Sequence, residues 1–331
     1  MEKKYALSAV SYGEVLFDLF PTHKKIGGAP LNVAIRMKSL GVQSKIISKI
    51  GLDQEGQEII DYLQSKEIDT NYIQKSKDYR TGVVHVMINE KGNASYDIAY
   101  PSAWDKIEQD EDLLSLVSNT DVLIFGSLIC RDEVSRNTLF TIIHHSNYSV
   151  FDVNLRQPYY TKENLIELMK ASDFIKLNDE ELLEISQMLN SPFHSFEQNI
   201  RFIASQMGTS QICVTKGAFG AVLFYNDKFY YNSGYFIKVA DTVGAGDSFL
   251  ASLVTKILRG DSPQKALNFA CAIGALVASK EGANPEISEK EIKKFTQTPV
   301  ITSKESNLVD LLNLIADHSI EGATSGSKKI L

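Results

Sequence analysis

The sequence predicts an α/β protein with a mainly parallel central sheet, helices on both of its faces, and a small antiparallel β lid. Two observations carry this. Short apolar runs alternate with amphipathic stretches along most of the chain, and two segments break that rhythm, one reading as a strand with no helix after it and the other as a pair of strands about a polar tip.

Taken in order, the first strand candidate is Ala6–Val10, followed by Gly13–Pro21, which reads as a strand with no helix after it. Leu31–Leu40 has helical apolar spacing, and the strand Ser44–Ile50 and the helix Gln54–Lys66 continue the pattern. Arg80–Tyr100 alternates as two strands around the polar tip Asn89-Glu90-Lys91-Gly92-Asn93, a hairpin signal. With Gly13–Pro21 it makes the expected lid. Strands at Val122–Phe125, Ser149–Val153, Phe174–Leu177 and Ile212–Thr215, with helices at Asn164–Ala171 and Glu180–Leu189, read as βαβ units. Ser288 and Glu291 form a capping box that starts the last core helix. Beyond it, Leu308, Leu311, Leu312 and Ile315 make one apolar stripe, and Glu321–Lys329 is a polar tail. The expected division is therefore a domain over 1–297, with lid strands near 13–21 and 80–100, and a C-terminal extension over 298–331.

Composition narrows the function. The 331 residues hold 34 Lys+Arg against 41 Asp+Glu, a formal charge of −7, with 44% hydrophobic and 23% charged residues. That is the balance of an ordinary globule with a large core. The mild acidity argues against a nucleic-acid partner, since phosphate contacts need a basic face, and the basic tip Lys328-Lys329 is short. No apolar run approaches the roughly 18 residues that cross a bilayer. The start, Met1-Glu2-Lys3-Lys4, followed by apolar residues broken by Ser11, Glu14 and Asp18, does not read as a signal peptide. Cys130, Cys213 and Cys271 are unclustered, giving neither a disulfide framework nor a zinc site. A cytoplasmic location is expected.

The most informative segment is Asp241-Thr242-Val243-Gly244-Ala245-Gly246-Asp247-Ser248-Phe249, leading into the apolar Leu250–Leu258. Gly244, Ala245 and Gly246 allow a tight turn whose amides converge at a helix N-terminus, an arrangement that binds anions, phosphate above all. Asp247 then lies in the first turn, where the dipole favours its ionised form by up to about 1 kcal/mol. An acid beside an anion hole fits a base that takes a proton from an alcohol attacking the held phosphoryl group. A cap on the helix is the plainer role.

This segment resembles the signature of the ribokinase-like (PfkB-type) carbohydrate kinases, and further motifs stand in that family's order over roughly 5–297. They are Gly27-Gly28-Ala29-Pro30-Leu31-Asn32-Val33-Ala34, Gly51-Leu52-Asp53-Gln54-Glu55-Gly56, Asn178-Asp179-Glu180-Glu181 and Val214-Thr215-Lys216-Gly217-Ala218-Phe219-Gly220. The resemblance implies a ribokinase-like three-layer sandwich with a β lid, in agreement with the periodicity. It implies Asp247 as the general base and the Ala245 and Gly246 amides as the anion hole. Asn178 and Glu181 match the pair that positions Mg²⁺ near the phosphates of ATP, although an Asn cap on a helix rich in early acids looks the same. Thr215, Lys216, Gly217 and Gly220 match the turn that lines the nucleotide. Cys271 stands on the helix that flanks the adenine, where many relatives carry Asn. For Asp241, with the loop around Val243, two readings stay open: a K⁺ site built with loop carbonyls, or a cap on the loop.

On the acceptor side, Asp18, Gly28 and Asn32 match positions that face sugar hydroxyls. Ala103-Trp104-Asp105 and Asp152-Val153-Asn154-Leu155-Arg156 make the chain look most like the fructokinase branch. Trp104 either covers the sugar face or anchors the lid to the core. Asn154 lies in the stretch facing the sugar, and Arg156 there binds a substrate oxygen or pairs with a structural acid. The lid lacks the basic cluster expected for an acceptor already phosphorylated. The expected activity is a fructokinase: transfer from ATP-Mg to the primary hydroxyl of D-fructose. The rivals are the same chemistry on ribose, a keto-acid sugar or adenosine, and a sugar-sensing relative without turnover. A dinucleotide oxidoreductase is disfavoured by the missing G-x-G-x-x-G after a strand. Lids in this family serve as dimer clasps, so a homodimer is the expected assembly.

Overall fold

A computed structural model describes residues 6–88 and 94–297. The hairpin tip at 89–93, the stripe at 308–315 and the tail at 321–329 lie outside the described residues. The chain divides into two compact units, Met1–Ile287 and Ser288–Leu331. Within the second, the helix Glu289–Gln297 starts as its sequence requires. The Ser288 amide donates to Glu291 Oε2 at 2.7 Å, and the Glu291 amide donates to Ser288 Oγ at 3.2 Å.

The first unit is built on a nine-stranded sheet of order β13-β12-β11-β10-β9-β8-β1-β4-β5. Its strands are β1 (Ser8–Tyr12), β4 (Gln43–Gly51), β5 (Ile73–Ser76), β8 (Val122–Gly126), β9 (Ser149–Asp152), β10 (Phe174–Asn178), β11 (Gln211–Thr215), β12 (Ala221–Tyr225) and β13 (Lys228–Asn232). From β11 to β5 every pairing is parallel, and β12 and β13 add an antiparallel edge. Strands buried on both faces need continuous apolar runs, and the period of two sorts their side chains into two cores. Ala9, Val122, Ile124, Val150 and Phe174 pack with Val33, Leu250, Val254 and Ala270 on one face. Their neighbours Val10, Leu123, Phe125, Phe151 and Ile175 pack with Leu168, Leu182 and Ile203 on the other. The result is helix, sheet, helix: a three-layer sandwich. Phe125 stacks on Phe151 with ring centroids 5.6 Å apart. Phe125→Ala is expected to lower stability by about 3–5 kcal/mol, read as a drop in the urea midpoint at unchanged m-value.

The lid is a four-stranded sheet of order β3-β2-β6-β7, made of β2 (Leu16–Leu19), β3 (Lys24–Gly27), β6 (Gly82–Ile88) and β7 (Ala94–Ile98). Pairs β2–β3 and β6–β7 are antiparallel, and the central β2–β6 pair is parallel. The sequence anticipates β2, β6 and β7 but misses β3, because Lys24-Lys25-Ile26-Gly27 has no apolar alternation to mark it.

Two clamps hold the lid. Asp53 caps the helix Gln54–Ser65 through the Gly56 amide at 2.8 Å and also receives the Thr81 amide at 2.9 Å and the Thr81 hydroxyl at 2.6 Å. The Gly51–Gly56 motif is thus a brace at the foot of β6. At the other corner, the Arg131 guanidinium lies 3.9 Å from the Trp104 ring centroid and donates to Asp105 at 2.7 and 2.8 Å and to the Ala99 carbonyl at 2.7 Å.

Candidate active site

The strand order reverses at β1, whose neighbours are β4 and β8, and in open α/β sheets ligands bind beyond the C-terminal strand ends at such a point. The functional motifs gather there. A cavity of about 330 Å³ opens at the opposite strand ends, lined by Ser8, Gln43, Tyr72 and Thr120, and carries none of them. Chemistry rather than volume therefore marks the site.

Gly244 caps the helix Ala245–Leu258 at φ 74°, and a Cβ there would stand 2.5 Å from the Ala283 carbonyl oxygen, so only glycine fits. The Ala245 amide donates to Thr242 O at 3.2 Å, a bond it must share or release to hold an anion. Gly246 follows in the first turn, exposed, where helix geometry leaves amides without intrahelical acceptors. Asp247 is the third helical residue. A second N-terminus, that of the helix Ala29–Ser39, approaches it; its cap Gly28 has φ 113° and lies so near Glu14 O that a Cβ would come within 2.4 Å. From this helix, Asn32 donates Nδ2 to Asp247 Oδ2 at 2.8 Å, while its Oδ1 accepts from Asn284 at 2.7 Å. Arg36, one turn further on, ties the two helices together through Ser248 Oγ at 3.0 Å.

Asp247 lies deep among protein groups yet keeps part of its surface open to the cleft. Burial, reinforced by Asp152, pushes its carboxyl up to about 6 against the pull of Asn32, Lys176 and Arg156. Glu14 is pushed up to about 7, first by burial. Lys176, buried in β10, donates to Asp152 Oδ1 at 2.9 Å. Sequence reasoning passed over Glu14, Asn284 and Lys176; a lysine inside the apolar run Phe174–Leu177 was the available signal for the last.

Asn178 and Glu181 make a reciprocal cap on the helix Asp179–Met188. The Glu181 amide donates to Asn178 Oδ1 at 2.7 Å and the Asn178 amide to Glu181 Oε2 at 2.8 Å. Glu181 Oε1 accepts the Leu155 amide at 2.9 Å. Both carboxylate oxygens are thus engaged, and no three His, Cys, Asp or Glu side chains converge as a metal cage among the described residues. The pair fits a hydrated Mg²⁺ reached through water, not an inner-sphere site.

Asp18, in β2, is partly buried, which raises its carboxyl against the pull of Arg156 and Lys25. Asn154 has φ 38°, a backbone state that Asn tolerates. Arg156 is exposed, and among the described residues its side chain donates only to the Leu155 carbonyl and makes no ion pair. The acids that feel its charge are Glu14, Asp18 and Asp247, all on the cleft side. Trp104 requires a correction: it is 0% exposed beneath Arg131, with Nε1 against Gly82, and offers no face to a ligand. It anchors the lid. The strand β3 adds Lys24 and Lys25 to the lid, and both are paired, to Glu58 at 2.7 Å and Asp241 at 3.5 Å.

Of the residues matched to the expected nucleotide turn, Thr215 ends β11 and bonds to Leu177 O at 3.4 Å. Gly220 has φ 77°, and a Cβ would meet Asn232 O at 2.1 Å, so this glycine serves the turn itself. Gly217, at φ 53°, borders open space. The Lys216 amide closes the turn on Gly220 O at 2.8 Å. Cys271, 7% exposed, has its thiol pushed up to about 12 by burial, which disfavours the thiolate. Phe219, part of the same motif but given no role of its own there, is exposed at 74%. Asp241 accepts the Val243 amide at 3.0 Å and the Gly282 amide at 3.2 Å, and Lys25 supplies positive charge beside it. These are the bonds of a cap on the loop.

The chain is similar to known sugar kinases. The pfkB family carbohydrate kinase description matches residues 2–290. A fructokinase of Solanum tuberosum is 30% identical over 307 residues, covering 84% of this chain and 92% of its own. A sugar kinase of Pyrococcus horikoshii solved in complex with ATP superposes with a TM-score of 0.72 at 28% identity, covering 83% and 94%. A double mutant of a fructokinase of Vibrio cholerae O395, bound to fructose, ADP and potassium, shares the fold with a TM-score of 0.76 at 24% identity, covering 88% and 99%. The match over nearly the whole chain places this protein in the pfkB family of carbohydrate kinases, as a sugar kinase.

Proposed function

We propose that this kinase transfers the γ-phosphoryl group of ATP-Mg to the primary hydroxyl of a neutral sugar, D-fructose, giving fructose 6-phosphate. The observation that carries the reading is Asp247, pinned by Asn32 at 2.8 Å in the first turn of a helix whose glycine turn can take an anion. The Asp247 carboxylate accepts the hydroxyl proton as the oxygen attacks in line. Gly246, Ala245 and the helix dipole offset charge on the transferring group. Bound Mg²⁺, held through water near Asn178 and Glu181, supplies further charge neutralisation. Asp18, Asn154 and Arg156 orient hydroxyls under the lid, whose closure excludes competing water. Thr215, Lys216, Gly217 and the Cys271 helix line the nucleotide. The fructokinase relatives and the paired state of Lys24 and Lys25 support an uncharged ketohexose. We assign 1–297 to the kinase domain and 298–331 to an extension; the family match ending at 290 supports this. No described helix is long and apolar enough to cross a membrane. Exposed Tyr96 in the lid strand β7 and exposed Tyr100 just after it support a homodimer, which light scattering tests.

The deciding experiment is ADP release with ATP, Mg²⁺ and K⁺ across fructose, ribose, glucose, a keto-acid sugar, adenosine and fructose 6-phosphate. Turnover with fructose alone supports the assignment. Turnover with another acceptor keeps the base and discards fructose; ATP binding without turnover supports the sensor alternative. Since the base must be ionised, kcat/KM is expected to fall about tenfold per pH unit below about 6 and to level off above it.

A further inference from the structure

Lys176 is a buried cation in a strand whose neighbours Ile175 and Leu177 are wholly buried apolar side chains. Its Nζ donates to Asp152 Oδ1 at 2.9 Å and stands 3.7 Å from where a Cβ would sit on Gly246. Glu181 and Asp247 also lie within its electrostatic reach. The second oxygen of Asp152 is buried and has no hydrogen-bond partner among the described residues. A buried ion pair is a poor way to stabilise a core, since an apolar pair of similar volume does as well or better. This pair is also lopsided: several carboxylates surround one buried ammonium, and the ammonium is the member turned toward the helix N-terminus.

We propose that Lys176 is a positioning residue for phosphoryl transfer, a fixed cation behind Gly246 that is held in place by Asp152. A helix N-terminus supplies about half a positive charge, while the transferring phosphoryl spreads negative charge over its oxygens beside Asp247, Asp152 and Glu181. Lys176 offsets part of the negative field those carboxylates impose on the glycine turn. Gly246 carries no Cβ that would intervene between them. The proposal rests on reading Gly244–Gly246 as the phosphate-binding turn.

The test compares K176M, K176R, D152N and the double variant D152N/K176M, by ADP release with ATP-Mg and the acceptor selected above, alongside ATP binding by calorimetry. K176M is expected to lower kcat about 100-fold with the sugar KM nearly unchanged, and K176R to recover most of that loss. D152N, which keeps the cation, loses less than about tenfold. The double variant leaves no orphaned charge and so tests the idea even if K176M fails to fold; it is expected to stay as slow as K176M. Recovery of wild-type turnover in the double variant would mean that Lys176 serves only to neutralise Asp152, and the proposal falls. Wild-type kcat in K176M, or a D152N loss as large as that of K176M, overturns it equally. If the wild-type protein binds no ATP, the turn reading fails and Lys176's role fails with it; if it binds and turns over, only Lys176 is in question.

Discussion

Asp247→Asn is expected to lower kcat by about 10³-fold while leaving ATP binding within a few-fold of wild type, and to make the protein more stable. The first effect follows from removing the proton acceptor while Asn32 keeps an oxygen to bond, so the two helix N-termini stay in register. The second follows from linkage. In the folded state the carboxyl is raised from 3.8 to about 6, so ionising it opposes folding. Its contribution is fully present below about pH 4, is lost as pH rises to about 6, and is absent above; the loss amounts to at most about 3 kcal/mol. The variant carries no such loss. Its advantage in melting temperature should therefore be largest at pH 8 and vanish near pH 4. Calorimetric melts across that range, beside initial rates at pH 8, give both readouts. An Asn variant with near-wild-type kcat would remove Asp247 from the chemistry.

Gly244→Ala is the second large effect. The new Cβ meets the Ala283 carbonyl oxygen at 2.5 Å and its Cα at 2.7 Å, and φ 74° is strained for alanine. Backbone cannot yield as a flexible side chain does, so the turn shifts and the Gly246 amide moves off its target. Turnover is expected to fall about 100-fold and stability by about 1–3 kcal/mol. Gly208→Ala separates the two costs: φ there is 78°, but nothing lies within 4 Å of a Cβ. It should lose stability of similar origin and keep full activity. Equal kinetic losses in both variants would show that strain alone, not the anion turn, explains the result.

The parts of the site legible in the sequence are those whose chemistry is local. Gly244-Ala245-Gly246-Asp247 writes a turn, a helix start and an acid within four residues, and Ser288 with Glu291 writes a cap within one turn. Asn178-x-x-Glu181 was legible as a motif, but only its hydrogen bonds show that both Glu181 oxygens are committed to backbone amides. Trp104 was legible as a large aromatic near the lid. Whether it faced a ligand or a guanidinium depended on Arg131, which lies on a different element.

By itself the sequence determined the layer architecture, because apolar period and turn residues act over short spans: Ala9 and Val10 choose opposite faces without knowing their partners. It also marked the glycine turn, the helix start and the acid within them. Tertiary structure alone decided which distant groups meet: Asn32 with Asp247, Lys176 with Asp152, and Lys24-Lys25 as a lid strand. The physical reason is that register and desolvation are properties of neighbours brought together by the whole fold. A lysine in an apolar run, or an aspartate after a glycine turn, acquires its charge state and its partner only when other strands and helices close around it.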